Sequence, residues 1–518
     1  MSYQILTLSF ILFLATITFV FAHQAFDPIL PKDQLKKWRN SWYIVTLIAF
    51  LSGSFWVYII TCGLFVKYIS KREENVFALY FMLLLAIPPI DKVIPIIGLD
   101  HLFAMNYPRL ISLTLLFPLF ISLSSKPDKI SFGRLVSDKF LIGIVILTFS
   151  LSLRGTTVSD AFRYGMSGFL DVFLPYYTAS RAIKNMDQLK VVMIGFVTGC
   201  LIVAAIGIFE YRSFWLLYNT LDESLGVNWV MGGYLGRGDD LRAISTTGQP
   251  IILGYVVMVA LGFYLYLAQL IKSNAIRLIG FGLIAAGLFV TLSRGPWVGA
   301  VALIIIFLAT GTNVAKKFII FITIALLTIP ALEVIPGGHK ILNILPFIGT
   351  SEQFNVEYRD KLFDRSIQVI EKHPVFGVFD ARKEPEMQDM IQGEGIVDIV
   401  NAYLGVSLSQ GLVGLFLFVG FFLSVLSTTY NATKRLPKKS EERICGSSLI
   451  ASLFGVLITI YTVSTIGVIP IIYWSLSGLM LSYVRITSRA YTNLNTIINA
   501  DIIYLTEKQS FPTTLIRK

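Results

Sequence analysis

Of the 518 residues, 55% are hydrophobic and 14% charged, and the mean hydropathy is +0.71. Too little charge remains to coat a water-facing globule of this size, so a soluble fold is excluded and a bilayer must be the solvent. The net charge of +11 does not indicate nucleic acid, because the basic residues are scattered through short loops between apolar runs instead of being gathered on one face.

Apolar runs of roughly 17 to 25 residues can cross the hydrocarbon core as helices, and the chain offers about fourteen candidates. The first, 4–22, resembles a signal peptide at its end, but residues 1–4 bring no side-chain positive charge, so it reads as an uncleaved first helix. Clear runs follow at 44–66, 191–209, 251–271, 278–292, 297–310, 318–332, 404–426 and 449–466. Between 140 and 179 the pattern weakens: the first run is short and the second carries Arg163 and Asp171, so one of the two is expected to lie along the interface. Cys62, Cys200 and Cys445 fall in or beside apolar runs without metal or disulfide spacing, and read as helix packing. The fold class is therefore all-α and polytopic, with about 12 to 14 transmembrane helices.

Lysine and arginine collect in cytoplasmic loops, which orients the chain. Lys434, Arg435, Lys438, Lys439 and Arg443 mark one such loop; Lys316 with Lys317, and Lys272 with Arg277, mark two more. Counting helices from these anchors puts 211–250, the Ser293-Arg294-Gly295 turn and 335–400 together on the external face. The stretch 67–72 and the tail with Arg485 and Arg489 agree, whereas the same count sends Lys32, Lys36, Lys37 and Arg39 outside. Six segments result: N-terminal helices 1–210, an external loop 211–250, helices 251–334, a large external loop 335–400, helices 401–486 and a cytoplasmic tail 487–518.

The 335–400 loop is too long for a simple connector. Within 355–372, Leu362, Ile367, Val369 and Ile370 recur at near-helical spacing, and His373-Pro374 ends that helix. An external cap with no chemistry is the plain alternative. The other loop holds Met231-Gly-Gly-Tyr-Leu-Gly-Arg-Gly-Asp-Asp240, whose glycines lack the flanking strand and crossover of a dinucleotide site and serve turns instead. Arg294 sits at the break between two apolar runs, where an arginine is costly unless it snorkels or meets an anion. Arg242 on the same face favours an anion, since forked guanidinium groups suit phosphate.

The pieces in order resemble the O-antigen ligase and polymerase superfamily of bacterial envelope glycan assembly. They are Arg242-Ala-Ile-Ser-Thr-Thr-Gly-Gln-Pro250, Thr291-Leu-Ser-Arg-Gly-Pro-Trp297, the helix from Tyr358 running into His373-Pro-Val-Phe-Gly377, and Asn401-Ala-Tyr-Leu404 with Gln410-Gly-Leu-Val-Gly414. The resemblance implies a large periplasmic loop bearing amphipathic helices and a multi-pass protein of the bacterial inner membrane with a periplasmic active site. It implies a metal-independent glycosyltransferase without cofactor that uses a polyprenyl-diphosphate-linked oligosaccharide. Membrane lipid, a flippase and chain-length-regulating proteins are the implied partners, and nucleic acid is not.

In that frame Arg242 and Arg294 would stabilise the departing diphosphate, and Asp398 or Glu394 would take the acceptor proton. Asn401 and Tyr403 would contact sugar, with Arg359 and Arg365 binding glycan or phosphate. Ligases of the superfamily carry a histidine immediately before that asparagine, and Val400 stands there in this sequence, so polymerisation of repeat units is the expected activity. Ligase-type transfer of a finished glycan, transport, and a non-catalytic scaffold are the alternatives. Transport is disfavoured because no internal repeat is visible and the distinctive polar residues cluster at one face.

Overall fold

The protein, seen in a computed structural model, is described for residues 2–95, 102–126, 131–311, 353–391, 395 and 397–488, with scattered positions between 314 and 342. It is helical almost throughout, as an all-α polytopic membrane protein must be. Among the described residues eight helices are long and apolar enough to cross a membrane, and Phe55–Ser70, Asn274–Phe289 and Arg294–Thr310 are shorter apolar helices. The only described strands are two-residue hairpin pairs, Lys92–Val93 with Ala104–Met105 and Gly236–Arg237 with Asp240–Leu241. The run at 318–332 lies largely outside the described residues, as do Lys317 and Arg489.

Three helices form the heart of the bundle: Met186–Ser213, Pro250–Leu267 and Glu441–Ile460. Each is apolar around most of its circumference and buried accordingly, as a helix surrounded by other helices should be. Small residues allow the close approaches. Gly299 and Gly455 lie against one another's helices, and a Cβ at Gly299 would sit 2.9 Å from the Gly455 carbonyl. Cys200 and Cys445 are buried in these helices, and Cys62 is buried in the Phe55–Ser70 helix.

The 44–66 run is not one span. The chain turns at Ser52-Gly53-Ser54, where Gly53 adopts φ +60°, and two helices result, Gln34–Leu51 and Phe55–Ser70. At 18 and 16 residues they are about 27 and 24 Å long, each close to a full crossing. They run antiparallel, because Gln34 Nε2 at the start of the first donates to both carboxylate oxygens of Glu73 beyond the end of the second, at 3.0 Å each. The chain therefore reverses direction between 34 and 73, which a single run at 44–66 does not. The segment with Lys32, Lys36, Lys37 and Arg39 belongs at the same end of the bundle as 67–72, and the conflict in the charge pattern disappears. The end is knitted further by Asn75 Nδ2 on the Gln188 carbonyl at 2.9 Å and Lys190 Nζ on Glu441 at 3.1 Å.

The irregular stretch at 140–179 forms two helical passes, of which Val136–Arg154 is long and apolar enough to cross a membrane. Val136–Gly155 packs against a return path made of Val158–Gly168, a π-helical turn at Phe169–Phe173 and Leu174–Ala182. Its charges are neutralised in place: Asp171 pairs with Arg109 at 2.8 Å, and Arg163 with Asp160. Deeper still, Arg181 pairs with Asp138 at 2.8 Å, with both side chains almost wholly buried at 4% and 0% exposure. Tyr176 donates to the same carboxylate at 2.7 Å, and the Arg181 guanidinium lies 4.6 Å from the Tyr177 ring centre. Removing one partner strands the other charge in an apolar setting. Asp138→Ala should therefore destabilise the detergent-solubilised protein by about 3 to 5 kcal/mol. The double variant Asp138→Ala with Arg181→Met should lose clearly less than the two single losses combined, as thermal unfolding of all three variants would record.

Candidate active site

The Arg242 loop is fixed from beneath by a residue that the sequence analysis passed over. Glu210, near the end of the Met186–Ser213 helix, is fully buried. Its carboxylate accepts the backbone N–H of Ser245 at 2.7 Å, of Ile244 at 3.1 Å and of Leu217 at 3.2 Å. Held this way, Ser245 adopts a left-handed φ of +49°, and the chain turns through Gly248 (φ +77°) into the Pro250–Leu267 helix. One step upstream, the Ala243 N–H reaches the Val290 carbonyl at 3.1 Å, so the loop lies along the 290–293 turn.

Arginines converge on that turn. Arg242 donates through Nε to the Thr291 carbonyl at 3.3 Å and through Nη2 to Ser293 Oγ at 3.0 Å, while Arg237 donates to the Leu292 carbonyl. Leu292 itself has φ +46°, a costly conformation for a branched residue that these donors help to hold. Arg294 then opens the Arg294–Thr310 helix, half-buried. Pro296 seats against Gly254, and a Cβ at Gly295 would lie 2.2 Å from Thr462 Oγ1. The arginine turn therefore touches the loop that follows the Glu441–Ile460 helix.

The cap reaches the same loop from the other side. Its helix, Gln353–Lys372, buries Leu362, Ser366 and Val369 on one face and ends at His373-Pro374 as its sequence requires. Met387, Met390, Val397 and Leu408 complete a small separate core beneath it. Lys361, hydrogen-bonded to Asp389, and the Arg365 guanidinium hold the Asp389 carboxyl below its ordinary range, and Lys372 does the same for Glu386.

The cap is locked to the bundle at a broken helix. Ala402–Lys434 is interrupted at Gly411 (φ +65°), which frees backbone groups, and the His373-Pro-Val-Phe-Gly377 segment takes them up. The Leu412 N–H donates to the Pro374 carbonyl at 2.8 Å, the Val413 N–H to Val375 at 3.3 Å, and the Val378 N–H to the Leu408 carbonyl at 2.8 Å. Two motifs noted separately in the sequence are thus the two halves of one joint.

Between cap and bundle lies a cavity of about 470 Å³. Arg359, Asp360 and Asp364 line it from the cap helix, Val400 and Asn401 from the re-entry segment, and Tyr461 with Thr462 from the loop beside the arginine turn. Arg359 Nη2 approaches the Thr462 carbonyl at 3.5 Å. Asn401 caps its helix, its Oδ1 accepting from Tyr403 N at 2.9 Å and Leu404 N at 3.2 Å, which leaves its amide nitrogen as the group it can offer. Asp398 is exposed at the rim. Ser464 Oγ lies 3.1 Å from its Oδ1, and the Tyr358 hydroxyl lies 3.0 Å from its carbonyl oxygen.

The sequence-derived candidates thus separate. Arg242 and Arg294 adjoin one turn, Arg359 and Asn401 line the cavity, and Asp398 stands at its rim. Arg365 faces Asp389 outside the cavity, and the Tyr403 hydroxyl turns inward to the Leu457 carbonyl at 3.0 Å. Glu394 lies outside the described residues. Missed in the sequence were Glu210, the carboxylates Asp360 and Asp364, and the 461–464 loop. The polar Thr462-Val-Ser464 run closing an apolar helix on the same face was the available signal for that loop.

Residues 279–419 match a family model described as O-antigen ligase. Over that stretch, somewhat more than a quarter of its length, the chain is similar to this family. The match supports the ligase and polymerase superfamily that the motifs resemble, and with it glycan transfer of that general type by a glycosyltransferase-like enzyme. It begins after the Arg242 loop and ends within Ala402–Lys434, so it includes the arginine turn, the cap and the broken helix. No curated protein sequence matches the chain.

The joint gives the cap a specific point of weakness. A Cβ at Gly377 would lie 2.3 Å from the Leu408 carbonyl oxygen, at a φ of +60° that side chains rarely adopt. Gly377→Ala should cost the cap roughly 2 kcal/mol or more of docking stability. Limited proteolysis should then cut within 353–400 much faster than in the wild-type protein, while the thermal transition of the bundle changes little.

Proposed function

We propose that the protein polymerises oligosaccharide repeat units carried on polyprenyl diphosphate, at the external face of the bacterial inner membrane. The observation that carries this reading is the juxtaposition of the arginine turn with the cap cavity, joined through Gly295 and Thr462, with Val400 lining the cavity where a ligase of the superfamily has histidine. The basic loops gathered at the other end of the bundle support the orientation, since lysine and arginine collect on the cytoplasmic side.

In the reaction an acceptor sugar hydroxyl attacks the anomeric carbon of the donor glycan. The new glycosidic bond forms, the bond to the diphosphate breaks, and the hydroxyl proton passes to a carboxylate. Arg294 and Arg242 receive the growing negative charge on the departing diphosphate. The N-terminus of the Arg294–Thr310 helix adds backbone donors and a favourable dipole. The Asn401 amide and Arg359 hold sugar in the cavity. Asp360, Asp364 and Asp398 are the carboxylates within reach of it, and the proton goes to this group; Glu394 remains a candidate from sequence. Flippase and chain-length-regulating proteins are the partners that such a polymerase would work beside.

Two experiments test the assignment. Losing a group aimed at developing charge commonly lowers the rate about 100- to 1000-fold. Arg294→Lys, which keeps charge but loses the planar fork, and Arg242→Ala should each fall by that order in turnover of a lipid-linked donor by purified protein. Full activity in either well-folded variant would leave that arginine a structural or snorkelling role. For polymerisation itself, the measurement is the length distribution of carrier-linked glycan in cells lacking the protein. Single repeats without long polymer are expected, and Asp360→Asn, Asp364→Asn and Asp398→Asn tested singly would identify the base by the same block. Long chains accumulating on the carrier would instead assign the protein to ligation.

A further inference from the structure

The opposite end of the bundle holds a second built concavity that the proposed reaction does not use. It occupies about 310 Å³ among the ends of three helices, Pro250–Leu267, Arg294–Thr310 and Glu441–Ile460. The Arg294–Thr310 helix begins at the arginine turn and ends at this cavity, so some 25 Å of helix separate the two sites.

Its lining has a definite chemistry. Lys438, Lys439 and Arg443 bring three cations, and Gln269, Thr310 and Ser447 bring neutral hydrogen-bonding groups. Phe307 and Ile444 supply an apolar wall. None of the described lining residues is acidic. Of the two acids that open the Glu441–Ile460 helix, neither of which lines the cavity, Glu441 is engaged elsewhere, accepting the Tyr266 hydroxyl at 2.8 Å and Lys190 at 3.1 Å. Glu442 offers its carbonyl oxygen to Tyr483. Arg443 is fixed in place, since its Nη1 donates to the Leu436 carbonyl at 2.8 Å, which holds a positive group at the cavity edge. Cations in cytoplasmic loops need no ligand to explain them, but their placement around a pocket between helices, with polar floor and apolar side, does.

We propose that this cavity binds a phosphate group, and that the group belongs to an anionic lipid of the cytoplasmic leaflet. The headgroup phosphate meets Lys438, Lys439 and Arg443, and the acyl chain leaves along the wall of Phe307 and Ile444. Such a ligand bridges the ends of helices that at their other ends carry Arg294 and Gly254, so occupancy stiffens the frame of the arginine turn.

The test uses the purified full-length protein in detergent, with thermal unfolding followed as phosphatidylglycerol, phosphatidylcholine or inorganic phosphate is added. Phosphatidylglycerol should raise Tm saturably and phosphatidylcholine should not. Lys438→Gln with Lys439→Gln should weaken the half-saturating concentration roughly 10- to 30-fold, since each cation near an anionic lipid surface contributes on the order of a fivefold factor. Gln269→Ala, which alters no charge, should weaken it to a smaller extent. Lys32→Gln with Lys37→Gln, at the same end but outside the cavity, should leave it unchanged. Inorganic phosphate reproducing the shift at millimolar concentration would keep the site and assign it to a free anion. An unchanged lipid response in both cavity variants, or an equal loss in the Lys32 and Lys37 control, would overturn the proposal.

Discussion

The geometry of the arginine turn depends on one buried carboxylate. Taking Glu210 out of water costs several kcal/mol, and the cost is recovered only because three backbone N–H groups point at it. Those donors come from two separate places in the chain, Leu217 and the Ile244-Ser245 pair. Irregular backbone at the edge of a membrane is tolerated only where its polar groups are satisfied inside the protein. Glu210 supplies that satisfaction for the loop, and the loop can then lie against 290–293 with Arg242 pointing at Ser293. Without the carboxylate, the Ile244 and Ser245 N–H groups lose their acceptor, and the loop that carries Arg242 loses its anchor from beneath.

A second constraint fixes the cap. A helix that breaks at Gly411 leaves N–H and carbonyl groups exposed in an apolar region, and the cap segment 374–378 is shaped to accept and donate at that break. Each half satisfies backbone groups that the other leaves open. The consequence is that the cavity wall carried by Arg359, Asp360 and Asp364 is positioned relative to Asn401 by backbone bonding as well as by the small core under the cap. Gly295 against Thr462 brings the arginine turn to the same place, so loops from four parts of the chain share one framework.

Much of this was legible in the sequence, and the failures have physical causes. Hydropathy reports that a segment is apolar, not whether it turns: Ser52-Gly53-Ser54 is too short a polar signal to lower the mean of 44–66, so a hairpin was counted as one crossing and the 32–39 segment was sent to the wrong end. Charged residues within an apolar run weakened the 140–179 reading, because Asp171 is made tolerable by Arg109, a partner distant in sequence. The arginines and the cap motifs were found because glycine and proline mark turns locally. Glu210 was not, since a lone glutamate near a helix end looks like an interfacial charge until its backbone donors are seen. Asp360 and Asp364 stand on the polar side of an amphipathic helix, and nothing local distinguishes a solvated face from one that borders a cavity.

The distribution of cations along the helices separates those that stabilise from those that serve the site. At the basic end, Arg277 donates to the Ile271 carbonyl, Arg443 to Leu436 and Arg485 to Ser180, all just beyond or within the last turn of a helix. There the helix dipole favours positive charge and the free carbonyls need donors, so each arginine contributes to stability. Helices that begin at that end carry acids in their first turn, as Asp138, Asp187 and Glu441 do, which follows the same rule. Arg294 violates it. As the first residue of its helix it adds positive charge to the positive end of a dipole, beside Arg242, in a setting of reduced polarity. Positive charge placed there suits an anion bound at the helix N-terminus, where free N–H groups and the dipole add to the guanidinium groups. In the proposed reaction that anion is the departing diphosphate, whose charge grows as its bond to the sugar breaks, and the two arginines and the helix N-terminus meet that charge where it forms.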